Sequence, residues 1–263
     1  MTDLDTTRID GRPAATDGTI PQLSLRRIVG TWAAAAVPMG VLPWVVAPLV
    51  ANRLSGPAPL GRALIVALTA GLVWQFVLVM VLVRREQGTL RWSVLKDALW
   101  LRAPRAPRSG RRGGRAWLIV PLLAVALAAE ELVPGFGRPV GRDLGEFLDS
   151  GVGHSLLSGA WGWFAALVAM FLFNTVLGEE LLFRGFLLPR MNGVFGRRDW
   201  LANGVLFAVY HLHVPWVIPS ALLDTFVVAY PSKRYRSALI GIAVHSAQSA
   251  VLLALVLSLT LKG

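Results

Sequence analysis

Cysteine is missing from the 263-residue sequence, and charged residues are scarce at 16%. Without cysteine the chain has no disulfide, no thiolate metal ligand and no cysteine nucleophile. Hydrophobic residues reach 55%, so there is too little polar material to coat the surface of a soluble domain. The composition therefore excludes an ordinary soluble protein and predicts a membrane protein.

Long apolar runs are the main feature that the sequence does contain. A helix crosses roughly 30 Å of hydrocarbon at about 1.5 Å per residue, which takes about 20 residues. Two shorter runs, 200–213 and 215–230, are divided at Val214-Pro215, where proline lacks an amide donor and restricts the residue before it. Five runs are long enough to span: 28–51, 63–83, 116–134, 157–188 and 237–260. We therefore expect an all-α, polytopic transmembrane helix bundle of about seven spans.

The basic residues indicate how these spans are oriented. With the N-terminus inside, 21 of the 26 Lys and Arg residues lie in segments on the cytoplasmic side, as the positive-inside rule requires. Topology thus accounts for the net charge of +11, and nucleic-acid binding loses its main support. No organelle address is recognised, so we expect a multi-pass protein of a bacterial-type cell membrane with a cytoplasmic N-terminus.

Three regions follow along the chain. Residues 1–27 are polar and lack a signal-peptide pattern, so a disordered cytoplasmic tail is expected. Residues 28–134 should form the N-terminal transmembrane helices, interrupted by a polybasic cytoplasmic loop over 84–115. Residues 155–260 should form a second helix bundle, which holds the candidate site described next.

Within the polybasic loop, Trp92, Leu95 and Leu99 recur at helical spacing. This pattern is typical of a helix lying in the headgroup layer. Residues 102–115 are rich in Arg, Gly and Pro, and we expect a flexible linker that is attracted to anionic lipid rather than a specific binding site.

The strongest candidate site is an acidic pair inside the fourth apolar run. A charged side chain in hydrocarbon costs at least about 2.5 to 3.5 kcal/mol, so such residues are functional candidates. Glu180 and Arg184 are four residues apart on a predicted helix, where they can form an ion pair. Glu179 points about 100° away from that pair, so it is left free for chemistry.

Two of the four histidines also fall within apolar runs. Asn203, Phe207 and His211 follow one another at intervals of four and share one helical face. His245 is followed three positions later by Gln248.

Depth connects the acidic pair with these histidines. Counted from the flanking basic residues, Glu179, His211 and His245 lie roughly 14 to 20 Å from the cytoplasmic charges. They can therefore meet at one level, which predicts an intramembrane polar site in the C-terminal half. Glu130-Glu131, at an outer span end, is instead interpreted as an interfacial helix terminus.

At these positions the sequence resembles the CPBP intramembrane proteases, the family of CAAX prenyl endopeptidases and bacteriocin-processing or self-immunity proteins, also called the ABI domain. The resemblance covers about residues 155–260. Where the family usually has Asn or Asp four residues after its last histidine, this chain has Ser249, with Gln248 beside it. Three family motifs are present in order: EExxxR at Glu179, Glu180 and Arg184, FxxxH at Phe207 and His211, and the final histidine at His245.

The resemblance implies an intramembrane endopeptidase that hydrolyses a membrane-associated or peptide substrate. Peptide hydrolysis needs an activated water, a base and donors for the oxyanion. Resemblance and spacing together suggest that Glu179 and His211 polarise the water and that His245 faces the oxyanion. Either Ser249 or Gln248 would assist His245, and Arg184 would hold Glu180 in place.

The cofactor is left open between none and Zn²⁺. Two imidazoles and one carboxylate form a known catalytic zinc set, and Glu179, His211 and His245 would be its ligands. No HExxH motif is present, and three separate helices are compatible with either a glutamate-type or a metal-dependent peptidase.

Two other classes of protein compete with the peptidase. A non-catalytic membrane scaffold or regulator of the same fold is favoured by Ser249. A transporter with a carboxylate proton relay predicts further polar residues in the N-terminal spans, where the sequence offers almost none. The expected partners are the lipid bilayer and a peptide or protein substrate, without nucleic acid, and the oligomeric state is open.

Overall fold

The computed structural model describes residues 20–262, and its regular elements there are helices without any β-strand. The predicted all-α class is therefore confirmed. In chain order the helices are α1 (Leu25–Ala51), α2 (Pro59–Gln87), α3 (Trp92–Ala98), α4 (Ile119–Leu127), α5 (Leu144–Asp149), α6 (Gly151–Leu157), α7 (Trp161–Arg190), α8 (Asn192–Phe195), α9 (Asp199–Tyr210), α10 (Ile218–Ala221), α11 (Tyr230–Tyr235) and α12 (Ala238–Thr260).

Four of these helices, α1, α2, α7 and α12, are long and apolar enough to cross a membrane. Large apolar side chains on their outer faces are exposed, among them Val66 on α2 and Val251 on α12. Because such a surface is unfavourable in water, these helices make the chain a membrane protein. Helix α7 is the most central of the four. In its most apolar stretch of 18 residues, 56% is buried inside the protein, compared with 28–39% in the other three helices.

The other three predicted spans correspond to shorter helices. The run 116–134 forms α4 with a 3₁₀ turn at each end, and the run 200–213 forms α9, which ends at Tyr210. The run 215–230 is divided into a 3₁₀ turn, α10 and a π-helical turn, because prolines at 215 and 219 interrupt regular hydrogen bonding. Helix length alone therefore supports four spans rather than seven.

The predicted N-terminal tail falls mostly on residues 1–19, which lie outside the described range. Helix α1 begins at Leu25, three residues before the predicted start of the first span. The residues just before it contact the end of α7: the Leu23 amide donates to the Arg190 carbonyl at 3.0 Å, and the Gln22 side chain donates to the Pro189 carbonyl at 3.0 Å. The described part of this segment is thus attached to the helical core.

The polybasic loop is more ordered than the sequence predicts. An antiparallel bridge pairs Arg105 with Arg112, and the Arg105 amide donates to the Tyr235 carbonyl at 2.8 Å.

The apolar residues that are predicted to face lipid along α3 point in two directions. Leu99, just after the helix, is buried against the protein core, whereas Trp92 is 61% exposed. The apolar face of α3 therefore covers α7 as well as pointing outward.

A buried ion pair joins the C-terminal ends of α2 and α7. The Arg190 guanidinium donates to both carboxylate oxygens of Glu86, at 2.8 and 2.7 Å. Its remaining nitrogen donates to the carbonyls of Ala98 and Phe186, both at 2.9 Å. Arg190 is fully buried, so each of these bonds replaces contact with water.

We expect Arg190→Ala to lower the free energy of unfolding by about 3 to 5 kcal/mol. Glu86 would lose its ion-pair partner, and the carbonyls of Ala98 and Phe186 would lose their hydrogen-bond donor. The exposed Arg197 offers a matched control, and Arg197→Ala should change stability by less than about 0.5 kcal/mol. Denaturation of the purified chain in detergent, followed by tryptophan fluorescence, measures both. Equal stability of the two variants would contradict a structural role for this ion pair.

Candidate active site

The predicted acidic pair lies in the middle of α7 between two π-helical segments. Phe173–Gly178 precedes Glu179 and Glu180, and Leu181–Leu187 follows them. Wide turns of this kind are frequent at functional sites because they redirect side chains and free backbone groups. A Cβ at Gly178 would overlap the Phe173 carbonyl and lie 3.2 Å from the Leu72 carbonyl, so only glycine permits this turn so close to α2.

Glu180 is completely buried and contacts two cationic or ionisable side chains through one oxygen. Its Oε1 lies 3.1 Å from Nη1 of Arg184 and 3.3 Å from Nδ1 of His245. The pair with Arg184 is the one that the four-residue spacing predicts. The contact with His245 links α7 to α12, which spacing along one helix cannot indicate.

Gly241 on α12 is what allows the Glu180 carboxylate to approach so closely. A Cβ at position 241 would overlap Oε2 of Glu180 and come within 3.1 Å of the Ser232 hydroxyl. Neither Oε2 nor that hydroxyl has a hydrogen-bond partner within residues 20–262. Buried polar atoms without partners are costly, and for the carboxylate the ion pair with Arg184 offsets that cost.

Arg184 is also completely buried, and its guanidinium group lies over an aromatic ring rather than in a dense hydrogen-bond network. The centre of the guanidinium is 4.0 Å from the centroid of the Phe207 ring, a cation–π contact. In the described part of the chain none of its nitrogens has a well-directed hydrogen bond. Arg184 therefore depends on Glu180 for charge balance, with Asp224 as a second nearby carboxylate.

Glu179 occupies a different environment from Glu180, although the two are adjacent. It is 2% exposed, and the Asn174 amide, with its nitrogen facing the carboxylate, donates to Oε1 at 3.0 Å and Oε2 at 3.2 Å. The Tyr210 hydroxyl interacts with the same carboxylate and accepts a hydrogen bond from Gln75 on α2 at 2.6 Å. Glu179 thus has neutral partners, where Glu180 has cationic ones.

His211 follows the last residue of α9 rather than lying in mid-helix. Its Nδ1 is 3.0 Å from the Phe207 carbonyl, so Nδ1 carries the hydrogen and Nε2 presents a lone pair. Pro215, four residues after His211, cannot continue the helix. The helix therefore ends at Tyr210 and His211 lies at its terminus.

Phe207 is the hydrophobic centre around which the predicted residues gather. Its ring centroid is 4.8 Å from that of His211, 6.2 Å from that of His245 and 4.0 Å from the Arg184 guanidinium. Residues from α7, α9 and α12 therefore meet in one cluster, as the depth argument requires. Glu179 approaches this cluster through Tyr210, whose ring centroid is 6.2 Å from that of Phe207.

Two of the predicted residues lie at the edge of the cluster. Ser249 is buried one turn beyond His245 on α12, and within the described residues it has no hydrogen bond to the acids or histidines. Gln248 is close to the Glu130 carboxylate, which lies in the 3₁₀ turn at the end of α4. Glu130 is half-buried there, and its interpretation as an interfacial helix terminus stays a prediction.

Several residues of the site were missed by sequence reasoning. Asn174, Gln75 and Tyr210 surround Glu179, while the Ser246 hydroxyl donates to that of Thr175 at 3.1 Å. Gln75 could have been noticed as a lone amide in the apolar run 63–83. Tyr210 offers no such signal, because a tyrosine in an apolar helix is ordinary.

The donor atoms do not fit the zinc site considered above. No group of three His, Asp or Glu side chains within residues 20–262 is arranged to hold a metal ion. Zinc needs its ligands at about 2.0 to 2.2 Å from one point, whereas the Glu179 carboxylate faces the Asn174 amide. Glu179, His211 and His245 form a hydrogen-bonding site in this arrangement.

Comparison with known families identifies this region. Residues 160–251 match the family model described as Type II CAAX prenyl endopeptidase Rce1-like. All eight predicted catalytic and supporting residues, from Glu179 to Ser249, lie within that segment. This match confirms the resemblance to the CPBP family that the motifs indicate. Neither the curated proteins nor the solved structures contain a significant match to the chain.

The two acids are expected to differ sharply in their effect on stability. Glu180→Gln should lower the free energy of unfolding by about 3 to 5 kcal/mol, because Arg184 would remain buried without its anion. Glu179→Gln should change it by less than about 1 kcal/mol, because Asn174 can turn its amide to accept from glutamine. Detergent-based denaturation of both variants tests this difference, and equal destabilisation would show that the two carboxylates are not distinguished by their partners.

Proposed function

We propose that the chain is an intramembrane endopeptidase in which Glu179 and His211 activate a water molecule for attack on a peptide bond. The observation that carries this proposal is the packing of Arg184, His211 and His245 around Phe207, with Glu180 in contact with Arg184 and His245 and Glu179 adjacent to it in the chain. This cluster lies inside a segment that matches a peptidase family. Ionisable side chains are costly to bury in a membrane, so a cluster of this kind favours catalysis over a scaffold.

Glu179 is the proposed general base. Its neutral partners Asn174 and Tyr210 orient the carboxylate without neutralising it. The carboxylate takes one proton from the water as the water oxygen bonds to the carbonyl carbon of the substrate. It returns that proton to the amine as the carbon–nitrogen bond breaks, so protons balance over the cycle.

His211 is the proposed second contact of the water. Because Nδ1 donates to the Phe207 carbonyl, Nε2 is fixed as an acceptor for a water hydrogen. Its place at the end of α9 leaves the ring half-buried, so water and substrate can reach it.

His245 is the proposed donor to the oxyanion, in its doubly protonated form. Nδ1–H then donates to the Glu180 carboxylate and Nε2–H is available to the developing negative charge. Arg184 holds Glu180 through the ion pair and so positions His245 indirectly. Ser249 and Gln248 remain candidates for a second donor.

The chemistry that fits these donors is of the glutamate type, without a metal-bound water. Within residues 20–262 no three His, Asp or Glu side chains are arranged around one point, as a zinc site needs. The name of the matching family suggests a class of substrate to test, namely a prenylated peptide with a C-terminal CAAX sequence.

We also propose that the chain crosses the cell membrane seven times with its N-terminus in the cytoplasm. The short helices α4 and α9 each expose a stripe of apolar side chains, which suits contact with lipid. The exposed positions are Leu118, Leu122 and Val125 in α4 and the turn before it, and Leu201, Val205 and Val209 in α9.

Single cysteines can test this topology, because the natural chain contains none. We expect Ser109→Cys and Arg197→Cys to react with a membrane-impermeant maleimide only from the cytoplasmic side. Val140→Cys, at a position that is 89% exposed, should react only from the opposite side. Labelling of intact cells against inverted vesicles measures this, and reaction of all three variants from one side would refute the crossings by α4 and α7.

Catalysis is tested by peptide cleavage with the purified chain in lipid nanodiscs. Glu179→Gln and His211→Ala should each reduce the cleavage rate by roughly 10²- to 10⁴-fold, because each removes a group that handles the water or its proton. Glu146→Gln and His154→Ala make the same chemical changes at exposed positions and should leave the rate unchanged.

The substrates for this assay are a prenylated CAAX peptide and a library of unmodified membrane-associated peptides. Cleavage that survives both site substitutions would reject the assignment of Glu179 and His211. A wild-type chain that is folded by circular dichroism yet cleaves no member of either set would favour the non-catalytic scaffold.

A further inference from the structure

A strongly basic hollow lies between the polybasic loop and the segment that leads into α12. We call it the basic pocket; its volume is about 510 Å³. The cations that line it are Arg105, Arg108, Lys233, Arg234 and Arg236. None of these residues takes part in the candidate active site, and the proposed peptidase function does not account for them.

The pocket is built by the fold rather than formed by chance proximity of flexible side chains. Within the loop, the Ala106 amide donates to the Arg111 carbonyl at 2.8 Å and the Gly113 amide to the Pro104 carbonyl at 2.8 Å. The Arg105 amide then attaches this hairpin to the Tyr235 carbonyl. Two segments that are more than 100 residues apart in sequence thereby direct their basic side chains into the same hollow.

The charges of the pocket are largely uncompensated by protein. No carboxylate is among the residues that line it. Of the lining cations, Lys233 alone has an ion-pair partner within residues 20–262, the buried Asp199. Four guanidinium groups around one hollow repel one another, and an anion would relieve that repulsion. The planar fork of each guanidinium matches the oxygens of a phosphate group.

The position of the pocket indicates where such a phosphate comes from. The Ala238 amide, at the start of the long apolar helix α12, donates to the Trp100 carbonyl at 3.0 Å. The Ser237 hydroxyl donates to the Arg102 carbonyl at 2.7 Å. The loop is therefore attached to the end of a helix that is long enough to cross the membrane, which places the pocket at the level of lipid headgroups.

The neighbouring helix α3 supports the same location. Trp92 is 61% exposed and Leu90 is 41% exposed, so large apolar groups point outward beside a basic segment. Exposed indole next to cationic side chains is typical of a surface that rests in the membrane interface. A free phosphate in solution would not require this arrangement.

We propose that the basic pocket binds the phosphate group of an anionic phospholipid. The lipid headgroup connects the loop hairpin to the segment before α12 and offsets the charge of the arginines. This site is separate from peptide hydrolysis, and its test does not depend on cleavage.

The test is calorimetric titration of the purified full-length chain in neutral detergent. The probes are dioctanoyl phosphatidylglycerol, dioctanoyl phosphatidylcholine, inorganic phosphate and a hexaglutamate peptide. We expect the anionic lipid to bind and the other three to bind at least about tenfold more weakly. Arg108→Gln with Arg234→Gln should weaken binding of the anionic lipid by roughly 30-fold, since each basic residue near the surface contributes about 1 kcal/mol.

The matched control removes the same charge elsewhere. Arg26→Gln with Arg27→Gln changes two exposed arginines at the start of α1 and should leave the affinity within about twofold. A melting curve for each double variant shows that it is folded. If both double variants lose affinity equally, the attraction is a diffuse charge effect and the pocket is rejected.

The results with the other probes identify the kind of ligand. If inorganic phosphate binds as tightly as the anionic lipid, the ligand of the pocket is a soluble anion and the lipid is rejected. Tighter binding of hexaglutamate would indicate an acidic protein partner instead. Absence of binding by every anion, in a folded wild-type chain, would overturn the proposal.

Discussion

The Glu180 carboxylate joins two helices inside the membrane bundle, and the geometry of the site depends on it. One oxygen lies against both Arg184 of α7 and His245 of α12. Burying a carboxylate and a guanidinium is expensive, and the cost is offset only when both are held in contact. Gly241 makes that contact possible by leaving room for the carboxylate on the surface of α12. The position of His245 relative to Glu179 is therefore set by an ion pair that does no chemistry itself.

The adjacent acids divide their tasks because their surroundings differ. Glu180 balances the charge of Arg184, whereas Glu179 is oriented by an amide and lies near a phenol. The chain from Gln75 through Tyr210 to Glu179 also brings α2 into the site. The N-terminal helices are thus more than a membrane anchor, since one of their few polar side chains supports the proposed base.

The C-terminal helix α12 connects the two sites proposed for this protein. Its first residues are attached to the polybasic loop, and His245 lies two turns further along the same helix. Apolar side chains on the outer faces suit a membrane protein, and the proposed lipid site lies in the basic pocket at one end of α12. The loop that the composition marks as flexible is ordered because its backbone hydrogen bonds are satisfied by its own turn and by Tyr235.

Sequence alone determined the helical class, the membrane environment, the resemblance to a peptidase family and the ion pair between Glu180 and Arg184. Each of these follows from composition or from spacing within one segment, which local physics controls. Tertiary structure decided the contact of Glu180 with His245, the partners of Glu179 and the ends of the short helices. Those features depend on which atoms of distant segments come within about 3 Å of each other, and on breaks in helical hydrogen bonding, neither of which periodicity records.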